Sequence, residues 1–228
     1  MSIAITDDHR ALAETAADFL VKRDARRVAR DLLESPTEPM PPFWGDLATL
    51  GWLGLHIPEE YGGSGYTLEE LVVVVEEMGR AVAPGPFIPT VIASAIIAGA
   101  GDAATKAKLL PGLADGSING AVALGGSVAA ESGAASGSVG TVLGGGLADV
   151  LLVSVGDDVA VVEVGDGVRV ETPTNLDPTR RSARVSLDGA AATLVPGGRQ
   201  LLLDMARLLL SAEAVGVARE CTELAAAY

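Results

Sequence analysis

Residues 50–65 decide the fold, and they read Leu50-Gly51-Trp52-Leu53-Gly54-Leu55-His56-Ile57-Pro58-Glu59-Glu60-Tyr61-Gly62-Gly63-Ser64-Gly65. The apolar side chains of the first half predict burial in a core, and Pro58 bars continuation of a helix. The glycines of the second half allow backbone angles that other residues avoid. No residue here is a nucleophile, base or metal ligand in a recognisable setting. The stretch therefore predicts a buried turn between helices.

Helical spacing of apolar residues surrounds this turn from Thr6 to about Gly116, which predicts five or six helices around one core. Thr6 or Asp7 is expected to cap the first helix. Thr67, followed three residues later by Glu70, predicts a capping box at the start of a later helix.

The apolar period changes from about 3.6 to 2 near Asn119, which predicts β-strands. Short strands fit Ala121–Leu124, Leu151–Val155, Val159–Val164, Val168–Glu171 and Ala183–Leu187. Tight turns between them favour an antiparallel sheet or small barrel over a doubly wound nucleotide-binding fold. The predicted class is α+β, with a helical domain at 1–118, a middle β-domain at 119–198 and the first helix of a C-terminal helical-bundle domain at 199–228.

The last predicted helix runs from Gln200 to Tyr228 with a long apolar face. No Gly, Asn or Pro closes it, and no partner follows it in sequence. Either this face packs on another chain, or the sequence is part of a longer protein, and we favour the second interpretation.

Composition restricts the class of protein. The 228 residues are 49% hydrophobic and 20% charged, as in a globular chain, and the net charge of −14 argues against nucleic-acid binding. The apolar windows are shorter than the roughly 20 residues that a membrane span needs. The first residues do not read as a secretory signal, and Cys221 is the only cysteine, so we expect a cytoplasmic protein.

Few residues of the sequence suggest a metal-binding, cofactor-binding or substrate-binding role. His9 and His56 lack the spacing of a metal site, so we expect no metal. The glycine-rich stretch from Gly125 to Gly146 is either a loop whose amides hold a phosphate or ring edge, or a mobile surface loop. Arg180 and Arg181 follow a turn that projects two guanidinium groups, with surface pairing to Asp177 or Asp188 as the alternative.

Four segments resemble the acyl-CoA dehydrogenase family: residues 50–65, Lys106–Gly116, Leu176–Gly189 and Ala212–Arg219. The resemblance covers the whole chain. It implies a flavoenzyme with a helical domain, a β-domain and a C-terminal four-helix domain. Such enzymes remove a hydride and a proton from an acyl-CoA thioester to give the 2,3-enoyl thioester, and they pass electrons to an acceptor protein.

The resemblance implies FAD as cofactor and Leu124, Gly126 and Ser127 as its contacts. An acyl-CoA substrate is anionic and needs a basic patch in this acidic chain, for which Arg180 and Arg181 are candidates, as are Lys106 and Lys108. The catalytic base of the family lies in the C-terminal domain, so we expect it beyond Tyr228 or on a partner chain.

The chain departs from the family at the flavin. Residues 124–133 stand where the family carries a Thr-Glu-Pro and Gly-Ser-Asp loop. This pattern resembles flavin-poor subunits of heteromeric or fused dehydrogenases that attack steroid side chains. Two hypotheses follow: part of a flavin-dependent enzyme acting on bulky, including steroid side-chain, acyl-CoA thioesters, or a non-catalytic partner that serves assembly with similar chains. A weaker third is a monooxygenase or nitroalkane oxidase on the same fold.

Overall fold

The computed structural model describes residues 5–228, and in that range six α-helices precede the first strand. They are α1 (Asp7–Lys22), α2 (Ala25–Leu32), α3 (Trp44–Thr49), α4 (Leu68–Arg80), α5 (Phe87–Ala100) and α6 (Ala103–Asp115). The Thr6 hydroxyl accepts from the amide of His9 at the start of α1, and Thr67 and Glu70 form the capping box of α4. Both predicted caps are confirmed, and they satisfy amides that a first helical turn leaves unpaired.

Residues 50–65 form the predicted buried turn. Four of its apolar side chains are at most 5% exposed, namely Trp52, Leu53, Leu55 and Ile57, whereas Leu50 at its start is 45% exposed. The glycine loop folds back on them, and the amide of Ser64 donates to the carbonyl of Gly54 at 2.9 Å. Gly62 has a φ of 84°, and a Cβ on Gly63 would lie 2.0 Å from the Ile57 carbonyl oxygen. The turn therefore requires glycine at both positions.

Seven strands follow the helices within the described residues. They are β1 (Gly120–Ala123), β2 (Ser127–Glu131), β3 (Ala134–Leu143), β4 (Val150–Val155), β5 (Asp158–Glu163), β6 (Val168–Glu171) and β7 (Ser182–Val195). The order is β2-β3-β1-β4-β5-β7-β6, and an additional β3–β7 pairing closes five strands into a barrel. All pairs are antiparallel except β1 with β4, which is parallel. The α+β class is confirmed, with this one exception to the predicted pairing.

The core continues from the helices to the sheet. One cluster contains side chains of α1 to α6 together with Val122, Leu152 and Val161 of the barrel, and a second cluster fills the barrel interior. Helices therefore cover one side of the barrel, and α5 packs directly on β1. The predicted domain limits at 118 and 198 stay predictions, although α6 ends at Asp115 and β1 begins at Gly120.

The last helix, α7 (Gly198–Ala227), packs on α4 and α5. Its buried face consists of Gly198, Leu202, Met205, Ala206, Leu209, Ala212 and Gly216. Hence the first part of the apolar face has partners earlier in the chain, which the sequence pattern alone does not identify, whereas Val215 and Leu224 stay exposed. The helices α4 and α7 approach closely at Gly79 and Gly216, where a Cβ would lie 2.3 Å and 2.0 Å from a carbonyl oxygen of the opposite helix.

Candidate functional site

The predicted cofactor residues lie in the connection from β1 to β2. Leu124 is half-buried and its carbonyl accepts from the hydroxyl of Ser154 at 3.4 Å, whereas Ser127 is exposed and opens β2. A Cβ on Gly125 would meet nothing within 4 Å, so open space lies beside this connection. Among the residues described, the amides of Gly125 and Gly126 donate to no main-chain carbonyl. The connection thus offers two free amides and a hydroxyl as donors.

The stretch from Gly125 to Gly146 is mostly a β-hairpin, so the prediction of a mobile surface loop is wrong. Strands β2 and β3 pair from Ser127 with Ser138 to Glu131 with Ala134, and β3 also pairs with β7. The residues are small and have weak intrinsic strand preference, but pairing with β7 supplies the hydrogen bonds. The predicted loop is therefore confined to short connections at either end.

A cavity of about 200 Å³ lies where the helices, the barrel and α7 meet, and we call it the junction cavity. Its apolar wall is formed by Pro86, Ile88, Pro89, Leu143 and Leu210. Its polar side carries the guanidinium of Arg180 and the carboxyl groups of Glu38, Asp177 and Glu213. An apolar cavity with a few convergent polar groups is the usual form of a small-molecule site.

Arg180 lies at the polar side of the junction cavity, with 29% of its side chain exposed, and forms an ion pair with Glu213 of α7. Burial lowers the pKa of Arg180, and the charges of Asp177 and Glu38 oppose that shift. The predicted surface ion pair of Arg180 with Asp177 or Asp188 is therefore wrong, since its ion pair in the described residues is with Glu213. The connection from β6 to β7 packs against α7, which brings the guanidinium to Glu213 instead.

Arg181 connects the same segment to the linker between α2 and α3. Its guanidinium donates to the carbonyls of Ser35, Pro36 and Pro178, and its amide donates to the carboxylate of Glu38 at 3.1 Å. Burial raises the pKa of Glu38 to about 7, although the hydrogen bond from Arg181 opposes the rise. The two predicted substrate-binding residues thus differ: Arg180 lines the junction cavity, whereas Arg181 is occupied by main-chain carbonyls and lines a neighbouring polar cavity.

The sheet brings the predicted cofactor connection near the junction cavity. Val122 of β1 pairs with Leu143 of β3, and Leu143 lines the cavity. Leu124 follows Val122 by two residues, which corresponds to about 7 Å along an extended chain. No hydrogen bond or ion pair within residues 5–228 joins this connection to Arg180 or Arg181. The two predicted sites are therefore close along β1 and β3, and no polar contact between them is found in the described residues.

Sequence reasoning missed Glu38 and Glu213. Glu38 is a single acid in the linker that contains Pro36 and Pro39, and Glu213 interrupts the largely apolar pattern of α7. An acid within an apolar helical pattern was a usable signal for Glu213. Nothing in the local sequence marks Glu38, because its neighbour Arg181 is 143 residues away in the chain.

Other chemistry finds no support in the described residues. No group of three or more His, Cys, Asp and Glu side chains in residues 5–228 is placed to hold a metal ion. His56 is hydrogen-bonded to Ser94 at 2.9 Å, and burial lowers its pKa to about 4. None of the helices described has the length and apolarity needed to cross a membrane.

Known proteins match this chain in sequence over nearly its whole length. The family profile described as "Acyl-CoA dehydrogenase, N-terminal domain" matches residues 6–117. Acyl-CoA dehydrogenase FadE34 of Mycobacterium tuberculosis is 33% identical over 223 residues, and acyl-CoA dehydrogenase IpdE2 of Mycolicibacterium smegmatis is 31% identical over 225 residues. The chain belongs to the acyl-CoA dehydrogenase family. These alignments cover 96% and 98% of this chain, which spans 30% of FadE34 and 65% of IpdE2.

Solved structures of acyl-CoA dehydrogenases show the same fold. The structure described as a Tcur3481–Tcur3483 steroid ACAD variant superimposes with a TM-score of 0.88 at 29% identity, over 99% of this chain and 67% of that one. The ChsE4–ChsE5 complex from Mycobacterium tuberculosis has a chain with a TM-score of 0.88 at 21% identity, over 100% of this chain and 68% of that one. The second likeness shows the fold alone.

Proposed function

We propose that this chain is part of a flavin-dependent acyl-CoA dehydrogenase that introduces an α,β double bond into a bulky acyl-CoA thioester, including steroid side-chain thioesters. The supporting observation is the match of nearly the whole chain to acyl-CoA dehydrogenases, together with the resemblance to a steroid enzyme of the same fold. The junction cavity beside the β1–β3 pairing offers a place for the acyl group.

The connection from β1 to β2 would hold an edge of the flavin. The free amides of Gly125 and Gly126 and the hydroxyl of Ser127 are donors that suit flavin nitrogen and oxygen atoms, and the open space at Gly125 leaves room for a ring. Leu124 supplies an apolar contact at the same position. When bound, FAD supplies the acceptor for the hydride removed from the acyl β-carbon.

The acyl group would lie against the apolar wall of the junction cavity, with Arg180 at its far side. The apolar wall would exclude water from the acyl chain of the substrate, and hydrophobic contact with the wall would orient that acyl chain. We assign no catalytic base to residues 5–228. The base would come from the rest of the enzyme or from a partner chain of the same family, and an electron acceptor would complete the reaction. The single cysteine supports the cytoplasm as the compartment.

The test uses the full-length assembly that contains this chain. Addition of an acyl-CoA thioester should bleach the flavin absorbance band, and the product should be the 2,3-enoyl thioester. Replacement of Gly125 by Val should fill the open space and reduce the flavin content, while Gly165→Val, also in open space and distant in sequence, should not. A flavin band that stays unchanged with every thioester would refute the proposal.

A second candidate is a flavin-poor partner subunit that serves assembly. Its support is residues 124–133, which lack the Thr-Glu-Pro sequence that the family carries at this position. The two candidates differ in flavin stoichiometry. One FAD retained by each isolated full-length polypeptide would exclude the partner subunit, and its absence in an active assembly would support it.

A further inference from the structure

The lining of the junction cavity is mixed in polarity, which bears on the substrate, and this inference rests on the proposed function. Its lining combines apolar side chains with a single cation, Arg180, and three carboxyl groups. Its volume of about 200 Å³ is below the roughly 300–1,000 Å³ of sites that enclose a whole drug-sized ligand. The cavity therefore suits the end of a longer molecule.

The guanidinium of Arg180 keeps donors for a ligand. A guanidinium has five N–H groups, and within residues 5–228 the ion pair with Glu213 is the one direct partner found for it. Arg181 is different, since its guanidinium donates to three main-chain carbonyls. No nitrogen of Arg180 is both buried and without a partner, so the remaining donors face accessible space.

The surrounding charges select the kind of acceptor. Glu213 neutralises the guanidinium, and Asp177 lies beside the pair as a further negative charge, whereas burial favours the protonated form of Glu38. A ligand carboxylate would meet an excess of negative charge, whereas a neutral oxygen would accept a hydrogen bond from Arg180 without that repulsion. A wholly apolar end would leave those donors unpaired.

We propose that Arg180 is a specificity-determining residue that donates a hydrogen bond to a neutral oxygen, a ketone or hydroxyl, at the far end of the acyl group. The substrate class is then an acyl-CoA thioester with an apolar ring or chain that ends in an oxygen substituent. Glu213 keeps the site close to neutral, and the apolar wall holds the carbon skeleton.

Three CoA thioesters with one carbon skeleton test the proposal: 3-cyclohexylpropanoyl-CoA and its 4-oxo and 4-carboxy ring derivatives. Their dissociation constants are measured calorimetrically with the full-length protein. The oxo thioester should bind about tenfold more tightly than the parent, because it adds a hydrogen bond to a charged donor. The carboxy thioester should bind more weakly than the oxo thioester by at least that factor.

Arg180→Met should bring the oxo and parent thioesters within about twofold of each other, while Arg169→Met, which removes an exposed arginine of β6, should preserve the tenfold ratio. Glu213→Gln provides a second test if Arg180→Met does not fold. Loss of the neutralising carboxylate should tighten binding of the carboxy thioester more than that of the parent. Circular dichroism checks the fold of each variant.

The outcomes separate this inference from the function on which it rests. If the parent thioester binds but the oxo thioester gains nothing, or the gain survives Arg180→Met, the role of Arg180 is refuted and the thioester site stands. If none of the three thioesters binds, the thioester site itself is refuted.

Discussion

The contact between α4 and α7 gives the sharpest prediction, because it depends on the missing side chain of Gly216. A Cβ at Gly216 would lie 2.0 Å from the Glu76 carbonyl oxygen and 3.0 Å from the Arg80 amide nitrogen. These are backbone atoms of a helix, so they cannot turn aside as a side chain would. Relief to an ordinary contact near 3.4 Å requires the helices to separate locally by about 1.4 Å.

The magnitude follows from two opposing effects of Gly216→Ala. Overpacking costs about 1–3 kcal/mol, because separation of the helices loosens the buried face of α7 that includes Leu209 and Ala212. Alanine recovers up to about 1 kcal/mol through its better helix propensity. We expect a net loss of about 1–2 kcal/mol in the free energy of unfolding, or about 2–8 °C in Tm for a chain of this size.

Gly45→Ala is the matched control. Gly45 is helical in α3, and a Cβ there would meet nothing within 4 Å. The same substitution should therefore raise the free energy of unfolding by about 0.5–1 kcal/mol. Urea unfolding followed by circular dichroism measures both variants. If Gly216→Ala is as stabilising as Gly45→Ala, the close approach of α4 and α7 is not part of the folded protein.

Three further substitutions test the buried titratable groups and one strained residue. Glu38 has a pKa of about 7 in the folded protein, so it binds more protons there than in the unfolded chain, and its contribution to stability falls as pH rises from about 4.5 to 7. Between pH 5 and pH 8, the free energy of unfolding of Glu38→Gln should therefore rise relative to that of wild type by about 1–2 kcal/mol, a range that is reduced because Glu38 is partly exposed. His56 has a pKa of about 4 in the folded protein, so it binds fewer protons there than in the unfolded chain, and stability is lost as pH falls below about 6.5. His56→Phe should reduce that loss by about 2 kcal/mol between pH 8 and pH 5. The same pH dependence of urea unfolding in the variant and in wild type would contradict this. Val82 lies two residues after the end of α4 with a φ of 50°, where a β-branched residue is strained. Val82→Gly should therefore raise the urea midpoint by the equivalent of about 0.5–1 kcal/mol. A lower midpoint would show that its partly exposed side chain contributes more than the strain costs.

Local signals predicted much of the fold. The caps at Thr6 and Thr67 and the buried turn at residues 50–65 depend on residues a few positions apart, so spacing alone identifies them. The hairpin of β2 and β3 escaped prediction because its small residues carry little strand preference and depend on β7, about 50 residues later. The parallel pair of β1 and β4 escaped for the same reason, since pairing is decided between strands rather than within them.

The sequence by itself determined the family and the α+β class, since both depend on patterns that are contiguous in the chain, whereas the flavin contact at Leu124 to Ser127 stays a prediction. Only the tertiary structure decided which groups Arg180 and Arg181 contact. Their partners Glu213 and Glu38 come from α7 and from a linker 143 residues away from Arg181, and burial among them changes the charge that each group prefers. Burial and charge pairing arise when distant segments pack together, and no local pattern encodes them.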